Sequence, residues 1–145
     1  MIDVKLAKIE DVVASCRDAV DESVRLHPET WQRRSEGHLE NGPALSLWND
    51  GSLLGCVGVE IRREGVGIAW AVIMRRPELE QPTVIRGLVR SCRVGLDVVR
   101  KHFGVTRIRT FSVKGFPEAG RLLRAFQFER LRRESKTRFY YRWTG

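Results

Sequence analysis

The stretch Gly67-Ile68-Ala69-Trp70-Ala71-Val72-Ile73-Met74 contains the longest unbroken apolar run of the chain. Its hydrophobicity does not alternate and its length is that of a strand, which predicts a central β-strand buried on both faces. The run is far shorter than the roughly 20 residues that a membrane-spanning helix needs. We therefore expect a globular protein built around a sheet.

Signals on both sides of this strand predict the remaining elements. A helix begins at Pro82 and Thr83 and ends at Gly104, and Asp50-Gly51 predicts a hairpin turn between two earlier strands. The expected order is strand 4–9, helix 10–24, helix 28–39, strands 44–48, 53–61 and 67–74, helix 82–103, strand 105–113, helix 118–126, and strands 128–133 and 137–143. This order predicts an α/β fold with a mixed sheet and helices on both faces, in one domain over residues 1–145.

The C-terminal stretch Glu118-Ala119-Gly120-Arg121-Leu122-Leu123-Arg124-Ala125-Phe126-Gln127-Phe128-Glu129 carries the most specific resemblance to a known family. It resembles the helix and strand that GNAT N-acyltransferases often write as N-x-x-A-x-x-L-Y-x-x-x-G-F, with Ala119, Leu122 and Phe128 at the matching positions. Together with the element order, the resemblance covers nearly the whole chain and implies the GNAT acyltransferase fold.

The resemblance also implies a cofactor, acetyl-CoA, and a reaction in which an amine attacks the thioester directly. In such enzymes the fourth and fifth strands part, and the pantetheine arm pairs with the freed backbone, as an added strand would. The pyrophosphate lies on the N-terminus of the next helix, where free N–H groups favour anions. The cofactor-binding residues implied here are Ile73, Met74, Thr83, Val84, Ile85 and Arg86.

The sequence departs from the family pattern at positions that matter for catalysis. The phosphate loop usually written Q/R-x-x-G-x-G/A has no glycine pair here, and Pro82 removes one N–H donor. The tyrosine that often acts as general acid falls at Leu123, the asparagine falls at Phe116, and Gln127 replaces a glycine. No catalytic residue is assigned from the sequence, and both an active enzyme and a relative that has lost catalysis stay open.

The net charge of +8 is unevenly distributed, with a balance of −5 over residues 1–60 and +13 over residues 61–145. Such asymmetry indicates an anionic partner for the second half: CoA phosphates, nucleic acid or an acidic protein. The best candidates for nucleic-acid or partner binding are Arg130, Arg132, Arg133, Arg138 and Arg142. A charged edge hairpin that keeps the sheet soluble explains these arginines equally well.

A second hypothesis is a non-catalytic, virion-associated or assembly protein that uses the GNAT scaffold and binds DNA or protein through its basic face. Small GNAT-like proteins of short-tailed bacteriophages are similar in their short length, an aromatic residue in the fourth strand (here Trp70), a basic third helix and a brief C-terminal hairpin. The N-terminus has no signal-peptide pattern, so we expect a cytoplasmic protein, or one packaged in a virion if a phage encodes it.

Two side chains in the predicted strands have chemistry that an acyltransferase can use. Glu60 is a candidate proton acceptor from the substrate amine, and Ser112 is a candidate contact to the substrate or to the leaving thiolate. An ordinary solvated edge charge and an ordinary strand residue are the favoured explanations of the two. The three cysteines and three histidines lack metal-ligand spacing, so no metal is expected.

Overall fold

The computed structural model describes residues 1–114 and 117–145. The strands are β1 (Ile2–Leu6), β2 (Ala44–Asn49), β3 (Ser52–Arg63), β4 (Val66–Ile73), β5 (Arg107–Val113), β6 (Glu129–Glu134) and β7 (Arg138–Thr144). The helices are α1 (Ile9–Arg17), α2 (Glu22–Leu26), α3 (Pro28–Glu40), α4 (Pro82–Phe103) and α5 (Pro117–Ala125), with a 3-10 turn at Pro77–Glu80. The expected α/β architecture is confirmed.

The strands form one mixed sheet of seven, in the order β1-β2-β3-β4-β5-β7-β6. Neighbouring strands are antiparallel except β4 and β5, which are parallel because the long helix α4 connects them. The predicted hairpin turn joins β2 to β3, and Asp50 and Gly51 have φ values of 48° and 83° there. Both residues lie in the left-handed region that a tight hairpin turn requires.

Helices cover the two faces of the sheet unequally. Helices α1, α2 and α3 pack on one face, where Val12 and Cys16 meet Cys56 of β3 and Val72 of β4. Helices α4 and α5 pack on the other face, where Val99 contributes to a core with Ile108 of β5 and with Tyr141 and Trp143 of β7. We call these the α1–α3 face and the α4–α5 face.

Three local expectations are corrected by the structure. The helix expected over 10–24 is two helices, because Asp21 accepts a hydrogen bond from the Ser23 N–H and begins a new helix. The strand expected over 4–9 is β1, Ile2–Leu6, because residue 9 already begins α1. The central strand is not buried throughout, because Ala71 is exposed at the place where β5 no longer accompanies β4.

No helix in the described parts of the chain has the length and apolarity needed to cross a membrane.

Candidate functional site

The two parallel strands in the middle of the sheet separate after a short seam. β4 and β5 pair only at Val66–Arg107, Gly67–Ile108 and Ile68–Arg109. Beyond Ile68 the described residues of β4 form no further ladder pairs with β5, although both strands continue for several more residues. The result is a wedge-shaped gap, which we call the β4–β5 gap, with its apex beside Ile68 and Arg109.

The directions of the backbone groups show which ones face this gap. The Met74 N–H donates to the Leu54 carbonyl of β3 at 2.9 Å, so the groups of Met74 point away from β5. Neighbouring residues of a strand point their backbone groups in opposite directions, so the groups of Ile73, Ala71 and Ala69 point toward β5. Of the two strand residues predicted to bind the cofactor, Ile73 therefore faces the gap and Met74 does not.

A threonine that the sequence analysis missed lies at the apex. The Thr110 hydroxyl of β5 donates to the Ala69 carbonyl of β4 at 3.1 Å, immediately beyond the last paired residues. This bond satisfies the first carbonyl that the parting of the strands would otherwise leave without a partner. A threonine in a strand is too common for its sequence position alone to have indicated this role.

The outer end of the gap is partly closed by the chain itself. After α1 the backbone runs antiparallel to the end of β4: the Val20 N–H donates to the Ile73 carbonyl at 2.8 Å, and the Arg75 N–H donates to the Asp18 carbonyl at 2.9 Å. We call residues 18–20 the strap. Because Ile73 and Arg75 point their backbone groups away from β3, the strap uses the same edge of β4 as an added strand would.

Ion pairs hold the strap in place. Arg75 donates to Asp18 Oδ1 from Nη2 at 2.7 Å and from Nε at 3.1 Å, and Arg76 donates from Nη1 to Asp18 Oδ2 at 2.8 Å. The hydrogen bond from Arg75 is the main reason that the pKa of the Asp18 carboxyl lies below its usual value. Both arginines at the end of β4 are thus committed to Asp18 and not to a ligand.

The N-terminus of α4 offers fewer free donors than the sequence suggested. The N–H groups of Val84 and Ile85 both donate to the Gln81 carbonyl at 3.1 Å, and Pro82 has no N–H. Thr83 is the remaining backbone donor of that turn, and the Thr83 and Arg86 side chains are exposed beside it. The preceding 3-10 turn carries two glutamates and places negative charge at the same end. An anion here would rely on Thr83 and Arg86.

A buried polar cluster lies on the α1–α3 face, one strand away from the gap. Glu60 of β3 is 8% exposed, pairs with Ile68 in register, and is 2.8 Å from His38 Nδ1 of α3 through its Oε2 atom. Arg62 lies 3.5 Å from the other carboxylate oxygen. The His38 ring stacks on Trp70 with its centroid 4.8 Å away. Glu60 is therefore not the solvated edge charge that the sequence favoured.

The Trp70 indole completes this cluster and carries an unusual polar atom. Its Nε1 is buried and has no hydrogen-bond partner among the described residues. The ring lies against Gly58, at which a Cβ atom would be 2.7 Å from two ring carbons. Gly58 is needed here because any side chain would occupy the space of the indole.

The α4–α5 face contains the position at which GNAT enzymes often have a tyrosine. Leu123 occupies it and packs against the core, and Ser112 is 4% exposed on the same face. The same core contains Tyr141 of β7, whose hydroxyl would be 2.8 Å from a Cβ atom at Gly120 of α5. Phe116, the position of the family asparagine, lies outside the described residues.

The five arginines that are candidates for nucleic-acid or partner binding are divided between the two faces of the sheet. Arg130 pairs in register with Tyr141, which faces α4 and α5, and its guanidinium lies 3.8 Å from the Phe139 ring centroid on that side. Arg138 and Arg142 pair with Val113 and Arg109 and point to the opposite face. Arg107, Arg109 and Arg133 lie on the same face of the sheet as Arg138 and Arg142. Arg132 is exposed.

Solved structures match this architecture over almost their full length. The PaiA N-acetyltransferase of Thermoplasma acidophilum, solved in complex with coenzyme A, has a TM-score of 0.74 at 12% identity, covering 100% of this chain and 99% of that chain. A GNAT-family acetyltransferase from Bacillus anthracis has a TM-score of 0.68 at 11% identity, covering 99% and 94%. The chain has the GNAT fold.

A further GNAT-fold neighbour is the Campylobacter jejuni N-acetyltransferase PseH, solved in complex with acetyl coenzyme A. It has a TM-score of 0.61 at 12% identity and covers 99% of each chain. Neither a protein-family model nor a curated protein sequence matches the chain. These comparisons give no support to the phage virion hypothesis, which stays a prediction, and at such identities they establish the fold and not the chemistry.

The described residues contain no group of three His, Cys, Asp or Glu side chains that could hold a metal ion.

Proposed function

We propose that the protein is an acyl-CoA-dependent N-acyltransferase that binds the pantetheine arm in the β4–β5 gap. The observation that carries this proposal is the short seam: the strands pair at three positions and then part, leaving backbone groups of β4 aimed at a neighbouring position that β5 does not occupy. An extended ligand with amide groups completes such an edge in the way that a strand does. The match to structures solved with coenzyme A and acetyl coenzyme A supports the proposal.

The residues present fit the pantetheine arm better than they fit the phosphates. The backbone groups of Ala71 and the Ile73 N–H point into the gap, and Ala71 is exposed there. For the phosphates, the Thr83 N–H and the Arg86 side chain are the available groups at the start of α4. When bound, acyl-CoA supplies an activated acyl carbon as a thioester.

The chain's own residues then have to orient an amine and remove its proton. We propose that Glu60 accepts the proton of the amine. Its carboxylate is held by His38, next to β4, the strand that lines the gap, and on the face of the sheet opposite to α4. Leu123 cannot protonate the departing thiolate, so solvent at the open gap is the proton source in this proposal. This predicts turnover slower than that of an enzyme with a tyrosine at this position.

The experiment that tests the function is calorimetric titration with acetyl-CoA at low salt. The informative variant is Ala71→Trp, because an exposed alanine beside the gap can be enlarged without disturbing the core. The matched control is Val94→Trp, at a residue of α4 that is 60% exposed. We expect the wild type and the control to bind and Ala71→Trp to lose binding. No binding by the wild type, or equal binding by all three proteins, contradicts the proposal.

A further inference from the structure

One half of the sheet is uncovered on the α1–α3 face. In the described parts of the chain, the principal contacts of α1 and α3 with the sheet are with β3 and β4, whereas the helices that pack on β5 and β7, α4 and α5, lie on the other side. Along β5 the side chains alternate: Ile108 and Ser112 are buried, and Arg107, Arg109, Phe111 and Val113 are exposed. Since Arg109 pairs with Ile68 and Ile68 pairs with Glu60, the exposed set lies on the α1–α3 face.

This uncovered area carries a concentration of arginines that the fold itself does not require. We call Arg107, Arg109, Arg133, Arg138 and Arg142 the arginine face. Arg109 lies directly opposite Arg142 in the β5–β7 register, and two like charges in that position destabilise a sheet. Among the ion pairs of the described residues, only Arg142 of this set has an acidic partner, Glu129 at 3.5 Å.

Two aromatic rings lie among these arginines. Phe111 is 41% exposed and lies opposite Tyr140 in register. The Arg138 guanidinium is 4.0 Å from the Phe111 ring centroid, and the Arg133 guanidinium is 4.9 Å from the Tyr140 ring centroid. Stacking of this kind holds guanidinium groups in place with their N–H edges free to donate. Two of the five guanidinium groups of the arginine face, those of Arg133 and Arg138, are thus positioned by aromatic rings.

The arginine face begins at the apex of the gap. Arg109 is paired with Ile68, the last β4 residue of the seam, and Phe111 is the next β5 residue on the same face. The start of α4 lies on the side of the sheet opposite to the arginine face, because Val84 and Leu88 pack there against Leu47 and Leu54. The groups available for the phosphates lie at this start of α4. If acyl-CoA, the acyl donor, binds from that side, the acceptor amine is left to approach across the arginine face.

Resting on the acyltransferase function proposed above, we propose that the acceptor amine belongs to an acidic polypeptide segment that lies across the arginine face. The surface is open, strand-built and exposed, which suits an extended acceptor more than a small molecule. Its charge suits carboxylates, which arginine binds in a bidentate manner. A polypeptide offers aliphatic amines that attack thioesters, whereas the lone pairs of nucleobase amines are delocalised into the ring.

The charge of the arginine face also assists the chemistry. A guanidinium of the arginine face that no acceptor carboxylate neutralises disfavours the protonated form of an amine, so an acceptor amine brought beside it loses its proton more readily than in water. The nitrogen lone pair then forms the C–N bond, the C–S bond breaks, and its electron pair leaves on the CoA sulfur. The proton lost by nitrogen goes to Glu60, and the thiolate takes a proton from water.

The test compares two short peptides with free N-termini, one rich in Asp and Glu and one with Asn and Gln at the same positions. Binding is measured by fluorescence anisotropy without CoA, and acetylated product is measured by mass spectrometry with acetyl-CoA. The variant is the pair Arg109→Gln and Arg138→Gln, and the matched control is Arg33→Gln, an exposed arginine of α3.

We expect the acidic peptide to bind more tightly than the neutral one, with an affinity that falls as salt rises. The double variant should lose about three- to tenfold in affinity and in kcat/KM for the acidic peptide, as expected for two charge-assisted contacts. The affinity of the double variant for acetyl-CoA should equal that of the wild type, and so should the affinity of the Arg33→Gln control for acetyl-CoA. Equal binding of the two peptides, or tighter binding of a single-stranded oligonucleotide at the same arginines, overturns the proposal.

The two proposals fail in different ways. If acetyl-CoA binds but the acidic peptide has no advantage, the inference about the acceptor is wrong and the acyltransferase function is retained. If the wild type does not bind acetyl-CoA at all, the function itself is wrong, whatever the peptides do.

Discussion

Substituting Gly58 by alanine tests whether the Trp70 indole is held rigidly beside the gap. A Cβ atom at Gly58 would lie 2.7 Å from Cε2 and Cζ2 of Trp70 and 2.8 Å from the Pro43 carbonyl oxygen. Ordinary contacts begin at about 3.4 Å, so the ring has to move by several tenths of an ångström while His38 stacks on it at 4.8 Å. Overpacking of this kind costs about 1–3 kcal/mol.

The matched control is Gly37→Ala in the interior of α3. No atom lies within 4 Å of a Cβ built there, so the substitution meets no obstacle. Alanine is favoured over glycine by about 0.5–1 kcal/mol inside a helix, so this variant should be more stable than the wild type. The two alanine variants should therefore differ in the free energy of unfolding by about 1.5–4 kcal/mol, with opposite signs relative to the wild type.

The measurement is urea unfolding followed by circular dichroism and by tryptophan fluorescence. In thermal unfolding, Gly58→Ala should lower Tm by roughly 3–10 °C for a chain of this size. Repeating the Gly58→Ala measurement in a Trp70→Leu background should remove the part of the penalty that comes from the ring carbons, and the part from the Pro43 carbonyl oxygen, 2.8 Å from the added Cβ, should stay. If Gly58→Ala is as stable as Gly37→Ala, or costs the same with and without the indole, the ring is not confined as described.

Contacts near the gap and in the core lead to three more expectations. His38→Ala should lower the free energy of unfolding by about 2–4 kcal/mol because Glu60 loses its closest partner in a buried site. Adding Glu60→Gln should recover much of this loss in the same urea assay, and no recovery would contradict the explanation. Asp18→Asn should increase the affinity for acetyl-CoA several-fold, as measured by titration, because it releases the Arg75 guanidinium and loosens the strap. An unchanged affinity would show that the strap does not compete with the ligand. Burial raises the pKa of the Cys92 thiol from 9.0 to about 11, so the unfolded chain loses this proton at a lower pH than the folded chain does. The free energy of unfolding should therefore fall as pH rises from 9 toward 11. Cys92→Ser should make this fall less steep, and an unchanged slope would show that this thiol does not contribute to it.

The overall architecture could be predicted from the sequence because its signals are local. The Asp50-Gly51 turn and the helix end at Gly104 are each encoded by a few neighbouring residues, and both occur where they are expected. The apolar run that ends at Met74 indicates β4 in the same way. Since connections between successive elements are short, the order of the elements leaves few possible arrangements of the sheet.

The rest could not be predicted because it depends on contacts between distant parts of the chain. The strap joins Asp18 to Arg75, and the apex bond joins Thr110 to Ala69, 41 residues away in sequence. The sequence periodicity shows that apolar and polar side chains alternate along much of β5, but it does not show which face of the strand a helix covers. For the same reason the sequence did not show that Arg130 and Arg138, both candidates for partner binding, lie on opposite faces of the sheet.

The three-pair seam between β4 and β5 divides the sheet mechanically. Strands β1 to β4 are joined to one another by long antiparallel ladders, and β5 is joined to β7 by seven residue pairs. Tension between the two halves would therefore break the seam at Val66–Ile68 before it disturbed either ladder. Amide protons of the seam should exchange with solvent sooner than those of the ladders, and the width of the opening can change while both halves stay folded.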